Sequence, residues 1–317
     1  VDRLFVTLQY LLPHHLLCRL VYALTRSRRV WLKNLLIRAF VRHFEPRMSE
    51  ALEPDPLRYS TFNAFFTRAL QASLRPIDLH PACVVSPCDA VISMAGQLQD
   101  GQLLQAKGHR YALQALLGGD QTWTHRLQHG AFVTLYLAPY DYHRIHMPLA
   151  GRLVEAWHVP GRLFSVNAVT AARVPGLFAR NERIVCAFEG ETGAFAVVLV
   201  GALFVGSMST VWHDEITPWR TRRASAGPAA AHGLSTAGPD TPGQTLPSAT
   251  RGVHRLRPIT GLDLWQPRGA ELGRFNMGST VVLLLPQNCV SWNEACRPGA
   301  AVQVGQALGL LQQRQSA

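Results

Sequence analysis

The stretch "GRFNMGSTVVLLLP", residues 273–286, places a Gly-Ser-Thr at the entry to a strongly apolar run closed by a proline. A short run of this kind, rich in β-branched residues and bounded by Gly and Pro, reads as a buried strand. Strand entries often carry small polar residues, so Ser279 by itself marks the strand and not a reaction.

Working outward from it, the texture from about residue 76 onward is one of strands and turns. "DAVISMAGQLQDGQLLQAKG" holds Asp100-Gly101 between two strand-like runs, the signal of a short hairpin. "HGAFVTLYLAPYDYHRIHMPLAGRL" reads as a strand, a turn and the start of a second strand, and "PGAAVQVGQALGLL" as strands turning at Gly305. Residues 217–258, rich in Pro, Gly, Ala, Ser and Thr, hold too little apolar material to pack and read as a flexible surface loop.

The first 75 residues differ. On a helical wheel from 31 to 43, Leu32, Leu35, Leu36, Ala39 and Phe40 share one side and Asn34, Arg38 and Arg42 the other, which predicts an amphipathic helix. A second, short helix is expected in "STFNAFFTRAL", capped by Ser60 or Thr61. The expected fold class is therefore α+β: N-terminal amphipathic helices over 1–75, followed by a predominantly antiparallel β catalytic core over 76–317.

Composition narrows the partners. With 48% apolar and 16% charged residues among 317, the chain is built to bury a core and not to stay disordered. Its formal charge of +11 suits an anionic surface, but no nucleic-acid-binding signature accompanies it. Trp31 and the cluster Arg26, Arg28 and Arg29 point instead to a membrane interface. Two stretches imitate membrane spans. Residues 5–18 are short and broken by Pro13, and 192–212 carry valines and glycines that suit two buried strands joined near Gly201. Six cysteines without a C-x-x-C pair suggest a reduced compartment and no disulfide framework.

Candidate chemistry lies in three places. "PYDYHRIHMP" sets His143 and His146 three apart beside Asp141; a zinc site would need the helical H-E-x-x-H or nearby cysteines, and neither is present. "VVSPCDAVIS" supplies Asp89. Asp89, His146 and Ser279 together offer an acid, a base and a nucleophile, although the G-x-S-x-G elbow of many serine hydrolases is missing. Only two lysines, Lys33 and Lys107, could carry pyridoxal phosphate.

Taken with "TFNAFFTR", "RPID", "SPCDAVIS", "LQAKGHRYAL", "YLAPYDYHRIHMPLAG", "LFSVN", "LFARNERI", "VGALFVGS" and "RGAELGRFNMGSTVV", in this order along nearly the whole chain, the sequence resembles phosphatidylserine decarboxylase proenzymes of the bacterial, membrane-associated type. The resemblance implies that Ser279 attacks the Gly278 carbonyl, that the chain splits into a large part, 1–278, and a small part, 279–317, and that Ser279 becomes a covalent pyruvoyl group. It implies that Asp89 and His146 activate Ser279 and that His143 serves decarboxylation. No metal is implied. Phosphatidylserine is the implied substrate, with an anionic membrane surface as partner, a peripheral place on the cytoplasmic side of the inner membrane and a homodimer as possible assembly. Two other readings stand beside it: a serine hydrolase using Asp89, His146 and Ser279, and an inactive membrane-binding paralogue. For the latter, Ala90 replaces the family's usual glycine after the aspartate, and strain there would misplace Asp89 and slow self-cleavage.

Overall fold

A computed structural model describes residues 2–191, 193–204, 207–217, 252–256 and 263–312. Most of the 217–258 loop expected from composition lies outside them. The N-terminal part forms helices α1 (Asp2–Leu11), α2 (His14–Thr25), α3 (Val30–Phe44) and the single turn α4 (Phe62–Phe66). The strands in chain order are β1 (Cys83–Val85), β2 (Ala90–Gln97), β3 (Gln102–Leu104), β4 (Arg110–Ala112), β5 (Ala131–Leu137) and β6 (Arg144–His146). They continue with β7 (Gly151–Val159), β8 (Arg183–Gly190), β9 (Gly193–Gly201), β10 (Met208–Thr210), β11 (His213–Ile216) and β12 (His254–Leu256). The last are β13 (Trp265–Gln266), β14 (Glu271–Phe275), β15 (Ser279–Leu285), β16 (Val290–Trp292), β17 (Ala301–Val302) and β18 (Ala307–Leu311).

The architecture is the expected α+β. One large sheet runs β12-β7-β8-β9-β15-β5-β2-β17, with β13 also on β7, and a four-stranded sheet runs β11-β10-β14-β6. Every described strand pair in both is antiparallel. β15 lies near the centre of the large sheet and is buried along its whole length. Its apolar residues do not alternate with polar ones because both faces of the strand are covered.

Two expectations about strands need refinement. Asp100 and Gly101 form the tight turn, with φ of 52° and 67°, the left-handed pair that such a turn demands. The strands beside it do not continue as a hairpin: one bridge joins Gln99 to Gln102, after which β3 pairs with β4 and β2 with β5. Residues 193–210 do divide near Gly201, with β9 in the large sheet and β10 in the smaller one. Among the described residues no single helix is long and apolar enough to cross a membrane. Pro13 breaks the first apolar stretch, so that α1 and α2 meet at 88°. None of the six cysteines, all within the described residues, forms a disulfide.

α1 and α2 are held to the body by buried polar anchors. His14 Nε2 donates to Gln9 O at 2.6 Å while its Nδ1 accepts from Leu163 N, and Gln9 Oε1 accepts from Ser165 N at 2.7 Å. Their other sides stay open, with Leu4, Leu8, Leu11, Leu16, Leu20 and Leu24 exposed.

α3 corrects the helical-wheel reading. Its buried residues are Lys33 and Ile37, while Leu35 and Ala39, which the wheel put on one apolar side with Leu32, Leu36 and Phe40, are exposed. The rotation follows from Lys33, whose ammonium reaches inward to Leu57 O at 2.6 Å and Asn34 Oδ1 at 2.7 Å. Ile37 packs on Phe62, Phe65 and Phe66 of α4, and the Phe40 ring meets those three at 5.4, 5.7 and 5.8 Å. Thr61 caps α4, its hydroxyl accepting from Ala64 N at 3.0 Å, so of the two proposed caps Thr61 is the one used.

These contacts separate two kinds of apolar residue on α3. Ile37→Ala should cost about 2–5 kcal/mol of stability, as for other fully buried aliphatic side chains. Trp31→Ser and Leu35→Ser should each shift it by about 0.5 kcal/mol or less, since both side chains are exposed. Urea unfolding of the three variants checks this.

Candidate active site

Ser279 opens β15 with its backbone paired on both sides, to Leu137 of β5 and to Gly201 of β9. Three residues earlier, Asn276 is buried and tied from every side. Its backbone N–H donates to Ser207 O at 3.1 Å, its Nδ2 to Ser207 Oγ at 2.8 Å and Glu215 Oε1 at 3.0 Å, and its Oδ1 accepts from Asn63 Nδ2 at 3.2 Å. Glu215 in turn takes the Ser207 hydroxyl and the Arg26 guanidinium. The Gly278–Ser279 peptide thus lies in a short bend between two fixed points, an arrangement that limits the geometries open to the bond.

The side chain of Ser279 is 1% exposed, and its hydroxyl has no hydrogen-bond partner. A buried hydroxyl left without a partner costs free energy, so its presence calls for a chemical explanation. Gly278 has open space where a Cβ would stand and no left-handed φ. It differs in this from Gly273, where a Cβ would come within 2.4 Å of Ser209 O. Folding therefore needs the glycine at 273 and makes no steric demand for the one at 278.

Facing this bend is the segment that joins β5 to β6, residues 138–143. The two segments are locked in register, with Ser279 opposite Leu137, Arg274 opposite Arg144, and Phe275 N donating to His143 O at 3.0 Å. His143 is fully buried and stacked on Phe66 at 4.1 Å. Neither ring nitrogen makes a hydrogen bond, although the carbonyls of Ala138 and Pro139 lie near enough to favour its charged form. Burial, helped by the Arg68 charge, prevails and pulls its pKa down to about 3. His143 is therefore a neutral imidazole at physiological pH.

His146 has a defined tautomer. Its Nδ1 lies 2.8 Å from Gly269 O, which can only accept, so Nδ1 carries the proton and Nε2 the lone pair. Tyr142 OH, 3.1 Å away, donates to that lone pair, and burial keeps the Tyr142 pKa up at about 12. Burial also lowers the pKa of His146 itself. Asp89 faces elsewhere: its Oδ1 accepts from Arg75 Nε and Val304 N, each at 2.9 Å. Asp89 and His146 therefore have separate partners, the Ser279 hydroxyl has none, and no hydrogen bond among the described residues links the three. Asp89 still acts on His146 through its field, which favours the charged imidazole.

The expected strain at Ala90 is absent. Ala90 does not have a positive φ; it opens β2 and pairs with Val302, so it needs no glycine. Asp89 stays in place through Arg75 and Val304.

A cleft of about 630 Å³ lies on the Asp89 side, lined among others by Arg47, Arg68, Arg75, Asp89, Asp141 and Tyr142. Ser279, His143 and His146 do not line it. Arg75 bridges Asp89 and Glu50, with Nη2 2.6 Å from Glu50 Oε2. Asp141 accepts from Ala138 N at 2.7 Å, and burial, with the Asp89 charge beside it, pushes its pKa up to about 6. Sequence reasoning passed over Arg68, Arg75 and Tyr142. The "FFTR" and "RPID" stretches contained the arginines, but nothing local showed that they turn inward. Neither lysine lines the cleft: Lys33 is spent under α3, and Lys107 sits in a left-handed turn at φ 57°. Among the described residues there is no group of three or more His, Cys, Asp or Glu able to hold a metal ion.

Residues 62–310 match the family model described as phosphatidylserine decarboxylase, and residues 4–45 match a second described as PSD. The phosphatidylserine decarboxylase proenzyme of Azotobacter vinelandii is 46% identical over 315 residues, covering 97% of this chain and 98% of that protein. Those of Stutzerimonas stutzeri and Ectopseudomonas mendocina are 44% and 46% identical, covering 97% of this chain and 94% and 98% of the relatives.

The buried titratable groups make a signed prediction. His143 binds its proton near pH 6.5 when unfolded but only near 3 when folded, so its contribution to stability is lost as the pH falls from about 6.5 toward 3. Asp141 has the opposite sign: its folded pKa of about 6 lies above the ordinary 3.8, so it adds stability as the pH falls from 6 toward 3.8. Between pH 7 and 4.5, His143→Asn should lose less melting temperature than the wild type, and Asp141→Asn should lose more. Thermal melts of the three proteins at both pH values check the two signs.

Proposed function

The chain belongs to the phosphatidylserine decarboxylase family, and we propose that its working form arises by cleavage of its own Gly278–Ser279 bond. It converts phosphatidylserine to phosphatidylethanolamine and CO2. The observation that carries the maturation step is the buried Ser279 hydroxyl, without a partner, at a peptide fixed on both sides and beside a glycine with open space. Those residues suit formation of a pyruvoyl group in place.

In the proposed sequence the Ser279 hydroxyl attacks the Gly278 carbonyl carbon, and the C–N bond gives way to an ester. Loss of the Ser279 α-proton then expels the Gly278 carboxylate by β-elimination, leaving dehydroalanine at 279. Its amine tautomerises to an imine, takes up water and releases ammonia, leaving the ketone. His146 is the base for this sequence, with Nε2 carrying the lone pair and Nδ1–H anchored on Gly269 O. Asp89 raises the basicity of His146 by its field, while Arg75 holds the carboxylate in position.

A pyruvoyl group held at position 279 by the strands that flank it would supply the electron sink that decarboxylation needs. No lysine is required for this chemistry. His143 serves the decarboxylation step: a neutral imidazole walled by Phe66 can position the headgroup or move a proton without placing a charge beside the departing carboxylate.

The two parts remain one body after cleavage, because β15 stays paired along both edges and β17 and β18 remain on β2 and β1. The serine-hydrolase reading is disfavoured by the missing G-x-S-x-G elbow around Ser279. The relaxed Ala90 removes the one hint of an inactive paralogue.

The membrane reading extends to the outward leucines of α1 and α2 and to Trp31 and Leu35 of α3, with arginines nearby. Such surfaces bury into the headgroup and acyl boundary of anionic bilayers. A peripheral place on the cytoplasmic side of the inner membrane and a homodimer complete the proposal.

Intact mass spectrometry of the wild type beside Ser279→Ala tests maturation. The wild type should give fragments 1–278 and 279–317, the smaller blocked by a pyruvoyl group, and Ser279→Ala one full-length mass. A single full-length mass in both would sink the proposal. For the membrane, the Trp31→Ser/Leu35→Ser double variant should sediment less with phosphatidylglycerol vesicles at unchanged melting temperature; equal sedimentation would remove α3 from the docking surface.

A further inference from the structure

Among the described residues two arginines are almost fully buried, and their surroundings differ. Arg183, 2% exposed, spends its guanidinium on the carbonyls of Ala115, Leu116, Ala179 and Asn181. Arg68, 3% exposed, has one such bond, from Nη2 to Tyr140 O at 3.0 Å, while its Nε and Nη1 have no partner. Removing a guanidinium from water costs several kcal/mol unless its donors are satisfied, and arginine does not escape the cost by losing its proton. Arg183 meets that requirement within the fold. Arg68 does not.

Arg68 lines the 630 Å³ cleft, and the other two arginines there are already engaged. Arg75 is spent on Asp89 and Glu50, and Arg47 is a mostly exposed side chain 3.4 Å from Glu50. Of the four cleft carboxylates, Asp89 and Glu50 are held by Arg75, Asp141 is turned to Ala138 N, and Glu45 forms no ion pair with Arg68. No ion pair is formed by Arg68 among the described residues. The Phe65 ring, 5.9 Å from its guanidinium, covers one side of the group. What remains is a desolvated guanidinium with two unpartnered donor nitrogens, on a residue in the wall of a cleft that also touches the C-terminal end of α3 through Phe44 and Glu45. A permanently anionic group with two acceptor oxygens is its natural complement.

We propose that Arg68 receives the phosphodiester of the phospholipid headgroup; this rests on the decarboxylase reading above. The substrate carries two anions, and the reaction separates them. The carboxylate loses its charge on the way to CO2, so an arginine paired with it would stabilise the ground state more than the transition state and slow the reaction. The phosphodiester keeps its charge throughout. An arginine there supplies uniform binding, expressed in KM and not in kcat.

The test uses mature protein carrying Arg68→Gln or Arg68→Lys, after intact mass has shown both to be cleaved. In mixed micelles, Arg68→Gln should raise KM for phosphatidylserine about 10- to 100-fold, the range for loss of charge-assisted hydrogen bonds, with kcat changed less than about threefold. Arg68→Lys, which keeps the charge without the fork, should fall between. A drop in kcat at unchanged KM, or no change in either, would overturn the proposal, as would uncleaved, low-melting protein in both variants. Calorimetric binding of glycerophosphoethanolamine gives a readout independent of turnover: the wild type should bind it and Arg68→Gln should not. Inorganic phosphate competing equally well would reduce the site to an unselective anion pocket and overturn headgroup recognition. If the wild type releases no CO2 from phosphatidylserine yet binds this probe through Arg68, the decarboxylase reading fails and the anion site stands.

Discussion

The structure depends on the pairing of β15 along both edges from its first residue. Ser279 is the point at which a strand held by β5 and β9 begins, and Asn276, three residues before it, is held by Ser207, Glu215 and Asn63. A peptide bond between two such anchors has little freedom to relax. The same strand carries much of the apolar core, so the proposed cleavage site and the centre of stability share one element. This also explains why cutting the bond need not unfold the protein: the interactions that hold the strand are lateral, between strands, and not through the cleaved peptide.

Around this frame the charges are arranged by what each can reach. Arg75 and Asp89 neutralise one another, His146 has its proton fixed on one nitrogen by a carbonyl, and His143 is kept neutral by burial against Phe66. Each group is thereby prepared in a defined state, which is how buried sites tune acids and bases. Arg68 alone among the three cleft arginines retains donors without acceptors in a desolvated wall. The contrast with Arg183 shows that this fold can satisfy a buried guanidinium when the role is structural.

The N-terminal helices join surface to site. α3 buries Ile37 into the aromatic cluster of α4, and Phe66 of that cluster is the residue on which His143 stacks. Arg26, just beyond α2, reaches Glu215, which also holds Asn276. The helices that expose apolar residues outward are thus in contact, through one or two side chains, with the segments around the reacting bond.

Much of this was legible in the sequence by itself. The α+β division, the apolar strand that begins at Ser279, the break at Pro13, a cap at Ser60 or Thr61 and the turn at Asp100-Gly101 all follow from local pattern, because period, capping and left-handed turns are decided by neighbours along the chain. The motifs also singled out Asp89, His143, His146 and Ser279 as candidates for the chemistry. Only the tertiary structure decided which face α3 buries, since that turns on Lys33 finding Leu57 O, 24 residues away. It alone paired Asp89 with Arg75 instead of with His146, relaxed Ala90 against Val302, and left Arg68 and the Ser279 hydroxyl buried without partners. The reason is physical: a hydrogen bond or a missing one between residues far apart in sequence depends on how the sheets meet, and local pattern does not record that.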